Sequence, residues 1–386
     1  MRVVHVITRL IVGGAQENTL ATVFGLRSRA GVEVKLISGP TYGSEGSLEG
    51  EARRVPGLLE IVPSLVRPVH PLKDVLAYRA LVKRFKVLKP DIVHTHSGKA
   101  GVLGRLAAHR ARVPVIVHTL HGPSFGPFQS APANALFCAA ERLAGRHTTQ
   151  FIAVADCLIR QYLAAGIGQP QQYTRIYSGF DVRSFADAHN DPAWRSRWGI
   201  QADDIVVGKI ARLFKLKGHE DLFRDAPAIV RDQPNIKFVL VGDGPWRARW
   251  EAEARRLGLA QHFVFAGLVP PAEVPRWVGI MDMLVHLSRR EGLPRALPQA
   301  LAAGRPVVAY DCDGAGEVCR DRETGFLLPP GSNIAPAVSS LARDAELRRR
   351  MGETGREWVL REFDVEVMVH RIWETYQKLK SAAGNA

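Results

Sequence analysis

One carboxylate, Glu291, stands in the turn "SRREGLPRALPQ", bounded by Gly292 and Pro294, and one amide, Gln299, follows eight residues later. If the segment is helical throughout, that spacing is about 12 Å, a separation that suits two grips on different parts of one extended, hydroxyl-rich ligand. The turn "ARLFKLKGHEDL" places Arg212 and Lys217 five residues apart, just ahead of Gly218. Two cations there suit a diphosphate, the guanidinium binding it bidentately and the ammonium acting as a point charge, and they would neutralise a pyrophosphate-like leaving group. Solvated surface cations, and a carboxylate near a helix dipole, account for the same residues equally well.

The loop "TRLIVGGAQENTL" ends in Gly13 and Gly14, with a helix expected from about Ala15. Its backbone N–H groups could approach a phosphate or a developing anion, although an ordinary strand-to-helix turn reads the same. There is no G-x-G-x-x-G here, and "VEVKLISGP" ends without the acidic residue that would hold a ribose, which argues against a dehydrogenase. Gly242, Asp243 and Gly244 in "VLVGDGPWR" permit a tight turn or a close backbone approach to a ligand. In "HTHS", His94 and His96 share one face of a strand end; with no third ligand evident nearby, buried or hydrogen-bonded histidines are the favoured reading over a metal site. His121, in "HTLHG", falls at a strand-end turn, whereas His118 belongs inside the strand. The loop after it, "PSFGPFQSAP", reads as a mobile lip exposing Phe125 and Phe128 over a substrate.

These loops need a scaffold that ends strands beside one another. The strand candidates "VVHVI", "VEVKLIS", "DIVHTH", "VPVIVHTL", "FIAVA" and "YTRIY" alternate with helical patterns such as 73–88 and 98–110. "DIVVGKIA", "IKFVLVG", "HFVFAG", "MLVHLS", "RPVVAY" and "GFLLP" repeat the arrangement. Apolar β-branched runs alternating with helices predict parallel sheets covered on both faces, hence two doubly wound α/β domains in tandem with chemistry in the loops after strands, in an interdomain cleft. The polar stretch "FADAHNDPAWRSRWGIQADD" lacks a strand pattern and marks the junction. The expected division is 1–185, 203–363 and a last helical segment, 364–386, which either packs locally or returns to the first domain.

A chain of 386 residues, 46% hydrophobic and 23% charged, is too long for one ordinary core and has the composition of a soluble globular protein. No apolar run is long enough to span a membrane, and Arg9 interrupts the N-terminal run, unlike a signal peptide, so a cytoplasmic protein is expected. Cys138, Cys157, Cys312 and Cys319 have neither zinc-site nor disulfide-framework spacing. The net charge of +14 implies an anionic partner (nucleic acid, an acidic membrane face or phosphorylated substrates), or else only basic solvated helix faces such as "LRRRMGETGREWVLREF". The helix carrying Lys73, Arg79, Lys83, Arg84, Lys86 and Lys89 beside an apolar face suits an anionic leaflet, or packing on its own sheet with a solvated basic side.

The stretch "HLSRREGLPRALPQALAAGRPVVAYDCDGAGEV…ETGFLLPP", with "ARLFKLKG", "VGDGP", "GGAQ" and "IYSGFD" in the same order, resembles the family 4 retaining glycosyltransferases of GT-B fold over roughly residues 1 to 365. The segment "PLKDVLAYRALVKRFKVLKPDIVHTHSGKAGVLGRLAA" is most similar to bacterial enzymes of capsule, exopolysaccharide and lipopolysaccharide assembly. The resemblance implies that Arg212 and Lys217 bind the donor diphosphate, that Glu291 contacts the transferred sugar, and that His121 lies beside the anomeric carbon. It implies donor contacts from Gly13, Gly14, Gly242, Gly244, Gly292, Leu293 and Pro294, with Gln299 where the family usually has a ribose-binding Glu. No resident cofactor or metal is implied; the co-substrate is a nucleotide sugar, UDP-linked for preference, the acceptor a glycan or polyprenyl-linked hydroxyl, and nucleic acid is not a partner. Gln299 departs from the pattern in losing charge, and Pro298 requires the helix to begin nearer Ala296 than Pro294. The rival readings are a sugar-nucleotide 2-epimerase, which would need acid/base carboxylates, and a catalytically weakened nucleotide-sugar-binding protein.

Overall fold

Val, Ile and Leu runs that bury both faces form the strands of two parallel sheets. The computed structural model describes residues 1–42 and 46–384. The chain divides into two compact units, Met1–Phe180 with Val365 onward, and Asp181–Asp364. The last two residues of the expected C-terminal segment, 385 and 386, lie outside the described residues.

In the first unit the strands are β1 (Arg2–Ile7), β2 (Glu33–Ser38), β3 (Leu59–Ile61), β4 (Ile92–His96), β5 (Val115–Leu120), β6 (Gln150–Ala153) and β7 (Tyr173–Arg175). Among the described residues they form one seven-stranded sheet ordered β3-β2-β1-β4-β5-β6-β7, paired in parallel throughout. Sequence reading passes over β3, whose three residues are too few to display a period. The order reverses between β1 and β4. One sheet face, with Val3, Ile7, Ile92, Val115, Val117 and Ile152, packs under the helices Gly14–Arg27 and Val365–Gly384. The other, with Val4, Val6, Val93 and Ile116, packs under the helices Pro71–Leu88 and Gly98–Arg110.

The C-terminal helix belongs to this first unit. Met368, Val369, Ile372 and Tyr376 recur at helical spacing and are buried, each side chain of that size contributing about 1.5–3 kcal/mol. Gly25 permits the crossing, since a Cβ there would stand 2.6 Å from Val369 Cγ2. Asn18 Nδ2 donates to Met368 Sδ at 3.0 Å, and Tyr376 Oη lies 2.5 Å from His94 Nδ1.

The second unit holds β8 (Ile205–Ile210), β9 (Ile236–Val241), β10 (Phe263–Gly267), β11 (Met283–His286), β12 (Val307–Tyr310) and β13 (Gly325–Leu328). Its six-stranded parallel sheet runs β10-β9-β8-β11-β12-β13, with the reversal between β8 and β11. Residues 186–202, expected to lie between the two domains, are part of this unit, as are 181–185, expected in the first domain. Asp181 and Asp191 cap two short helices, Trp194 packs edge-on against Trp277 with ring centroids 5.4 Å apart, and Arg276 pairs with Asp191 at 2.8 Å. Aromatic burial fixes this segment even though it forms no strand.

Candidate functional site

In an open parallel sheet, ligands bind outside the strand carboxyl ends where the strand order reverses. In the second unit that place is the loop pair after β8 and β11, which carry Lys217 and Glu291. Gly218 (φ 66°) lets the first loop touch the end of the second strand, because a Cβ there would stand 2.0 Å from the Leu287 carbonyl oxygen. Just before Lys217, Leu216 also holds a left-handed φ of 66°, a strain of about 1–3 kcal/mol for a bulky residue. Its carbonyl accepts the Arg289 N–H at 2.8 Å, and the Arg289 guanidinium reaches both oxygens of Asp221 at 3.0 and 2.8 Å. The result is a Lys217 Nζ to Glu291 Oε1 distance of 2.5 Å.

Asp313, in the loop after β12, accepts the Glu291 N–H at 2.7 Å, and the Gly314 N–H donates to the Gly292 carbonyl at 3.0 Å. Burial, the largest single influence, would raise the Glu291 carboxyl, but the Lys217 ammonium, the His286 ring and hydrogen bonds from Lys217 and Ser288 together hold it below its ordinary value. Glu291 is therefore an anion at neutral pH. His286 Nε2 lies 3.6 Å from the same carboxylate oxygen; burial lowers this histidine to about 3, so it is neutral. Beneath them, Lys209 of β8 is buried, and desolvation, aided by the Lys217 charge, lowers its ammonium to about 7.

The other expected residues of this unit fall into four groups. Arg212 stands exposed at the start of the loop, its guanidinium 5.5 Å from the Phe214 ring centroid. Gln299 is half-buried on the helix Ala296–Ala302, which starts where Pro298 requires. Gly292, Leu293 and Pro294 are buried. For Gly242 and Gly244 the structure gives a reason other than close approach to a ligand. A Cβ would meet the Ala211 carbonyl oxygen at 2.2 Å in the first case and that of Leu213 at 2.5 Å in the second. With Leu213 N–H donating to the Asp243 carbonyl at 3.0 Å and Trp246 N–H to that of Leu213 at 3.1 Å, the turn braces the loop that carries Arg212 and Lys217.

In the first unit, Gly13 caps the helix Gly14–Arg27, its carbonyl accepting from the N–H groups of Gln16 and Glu17. The "HTHS" histidines have the third partner that sequence reading did not find. His5 of β1 is in register with His94 of β4, and ring nitrogens of His5, His94 and His96 lie within 4.8 Å of one another. This matches the ligand count of a metal site, but both His94 nitrogens face hydroxyls, Tyr376 Oη at 2.5 Å and Thr119 Oγ1 at 2.6 Å. His5 Nδ1 lies 3.0 Å from His96 Nε2, and His96 Nδ1 lies 3.1 Å from His121 Nε2. His118 is within β5 and bonded to Thr95. Phe125, expected to be exposed on a lip, is buried, its ring centroid 4.9 Å from that of Tyr162. Phe128 is half-buried.

Residues 190–358 match the family model for glycosyl transferases group 1, and residues 13–179 match the glycosyl transferase 4-like domain. A putative glycosyltransferase of Bacillus subtilis, EpsD, is 30% identical over 78% of this chain and 80% of its own length. The UDP-Gal:α-D-GlcNAc-diphosphoundecaprenol α-1,3-galactosyltransferase of Escherichia coli is 27% identical, with 82% of each chain covered. The crystal structure of Anabaena HepE in complex with UDP-glucose superposes with a TM-score of 0.81 at 24% identity, covering 98% of this chain and 100% of that one. The fold is thus GT-B.

Proposed function

The chain belongs to the group 1 glycosyl transferases, and on that premise we propose that it moves a hexose-type sugar, with retention of anomeric configuration, from a UDP-sugar to a glycan or polyprenyl-linked hydroxyl. The observation that carries this reading is the Lys217–Glu291 pair at the reversal point of the second sheet. An anion and a cation 2.5 Å apart can serve opposite ends of a sugar–phosphate bond. As that bond breaks, positive charge grows at the anomeric carbon and negative charge on the diphosphate. Lys217, with Arg212 on the same loop, stabilises the leaving diphosphate, while Glu291 accepts hydrogen bonds from the sugar hydroxyls. The acceptor oxygen bonds to the anomeric carbon, the carbon–oxygen bond to phosphate breaks, and the acceptor proton passes to the leaving phosphate. No metal is required in this scheme, because the two cations supply the charge.

Gln299 is proposed to take the ribose, through its carbonyl. In the first unit, the helix start at Gly14 suits a phosphate oxygen and His121 a sugar hydroxyl. UDP and a polyprenyl-linked acceptor are supported by the Escherichia coli relative, whose name specifies both a UDP-linked donor and a diphosphoundecaprenol acceptor. An anionic membrane surface on the cytoplasmic side fits the helix Pro71–Leu88, where Leu72 and Leu76 are 74% and 56% exposed beside Lys73, Arg79, Lys83 and Lys86. No helix of the described residues is long and apolar enough to cross a membrane.

The test is a panel of UDP-sugars and GDP-mannose, scored for nucleotide release with and without a polyprenyl-diphosphate sugar acceptor. Acceptor-dependent UDP release, with product in the donor's anomeric configuration, is the expected result. Turnover of GDP-mannose alone overturns the UDP assignment, an inverted product overturns retention, and a nucleotide sugar epimerised without acceptor replaces transfer by epimerisation.

A further inference from the structure

Three histidine rings, His5, His96 and His121, are joined in series by two nitrogen–nitrogen contacts of 3.0 and 3.1 Å, running from the sheet interior to the loop after β5. The ring planes lie within 13° and 28° of parallel. His5 and His96 are 0% exposed. Burial lowers both, His5 to about 3, so each is a neutral imidazole with one N–H and one lone pair. Each contact needs one proton. His96 has one, so it donates in one contact and accepts in the other, and the series must be polar from end to end.

Only two orders remain, and the interior end separates them. His5 Nε2 is buried without a hydrogen-bond partner. If the series pointed inward, that atom would carry an orphaned N–H, whereas pointing outward leaves only a lone pair there. Buried N–H groups without partners are the rarer of the two. We infer that His5 and His96 are positioning residues that fix His121 in the Nδ1–H tautomer, so that it offers a ligand oxygen a hydrogen-bond donor and not a base. Both of His94's nitrogens are engaged elsewhere, by Tyr376 and Thr119, so it lies outside the series.

The catalytic consequence rests on the role proposed for His121; the tautomer does not. The full-length protein, carrying ¹⁵N-histidine, is measured by two-bond ¹H–¹⁵N correlation, with His121 assigned by loss of its signals in His121→Gln. The expected result is a protonated Nδ1 and an unprotonated Nε2 at His121. His5→Leu, which removes the first donor, then yields a mixture of tautomers. His5→Asn, whose amide nitrogen can stand where Nδ1 stood, retains the single one. In transfer assays the Leu variant loses about tenfold in kcat with KM unchanged, the size of one hydrogen bond, and the Asn variant recovers it. A wild-type His121 protonated at Nε2, or a tautomer unmoved by His5→Leu, overturns the inference. Should the Leu variant not fold, the wild-type spectrum decides alone. Absence of turnover with every nucleotide sugar counts against the proposed function and leaves the tautomer result standing.

Discussion

Lys217 and Glu291 are 74 residues apart in sequence and 2.5 Å apart in space. Each neutralises the other, and in the proposed function a ligand offers the ammonium a phosphate and the carboxylate a hydroxyl. Lys217→Met is expected to lower kcat/KM by about 10²–10³-fold, as for loss of one preorganised charge contact to a leaving anion. Glu291→Gln should lower it comparably while leaving UDP affinity nearly intact, since in the proposed function that residue meets the sugar and not the nucleotide. Steady-state kinetics with calorimetry of UDP binding checks both; a Glu291→Gln enzyme with wild-type turnover would remove the carboxylate from the mechanism.

Gln299→Glu is expected to tighten UDP binding about fivefold, because a hydrogen bond to a carboxylate is roughly twice as strong as one to a neutral amide. An unchanged or weaker dissociation constant by calorimetry would count against a ribose role.

Lys209 gives a pH dependence of stability with a definite sign. The folded protein releases this proton near pH 7, while the unfolded chain holds it to about 10.5. Below pH 7 the cost of burying the charge is fully present; between the two values the unfolded state binds more protons, so stability rises with pH. Lys209→Met should therefore raise the unfolding free energy by roughly 3–5 kcal/mol near pH 6, a gain that fades towards pH 10. Denaturant titrations showing an equal gain at both ends would refute the charge-burial account.

Vesicle sedimentation tests the basic helix. Binding to phosphatidylglycerol vesicles should weaken with salt and fall when Lys73, Lys83 and Lys86 become Gln, each losing about 1 kcal/mol of attraction near an anionic surface. Sedimentation indifferent to lipid charge would remove the membrane proposal.

Arg105 and Glu141 form a buried pair, 2.5 Å apart with side chains 0% and 1% exposed. Arg105→Met strands the carboxylate and should cost about 3–5 kcal/mol, most of it restored when Glu141→Leu is added. Thermal melts of the single and double variants measure this coupling; equal losses in both would indicate packing and not charge.

Much of the scaffold was legible because parallel strands buried on both faces read as plain apolar β-branched runs, and the loops after them drew attention to Lys217, Glu291 and His121. What escaped were relationships between distant positions. Nothing local says that Asp313 holds the Glu291 backbone, or that Gly242 and Gly244 exist for the neighbouring loop's carbonyls. His5 escapes notice because one histidine in "VVHVI" looks like a tolerated core residue until its register with His94 is known. Phe125 reads as exposed for the converse reason: a Pro/Gly-rich context suggests exposure, and only the packing of Tyr162 shows burial.

The helix Val365–Gly384 completes the unit that begins the chain, with 184 residues of the other unit, Asp181–Asp364, intervening. On the ribosome this inverts the order of maturation. Met368, Val369, Ile372 and Tyr376 reach the sheet face they share with the helix Gly14–Arg27 only after the second unit has been synthesised, so their part of that face stays open while the second unit is being made. Of the two units, the one made earlier is the last that can close, and until it does the chain carries an apolar patch that a nascent-chain chaperone would recognise.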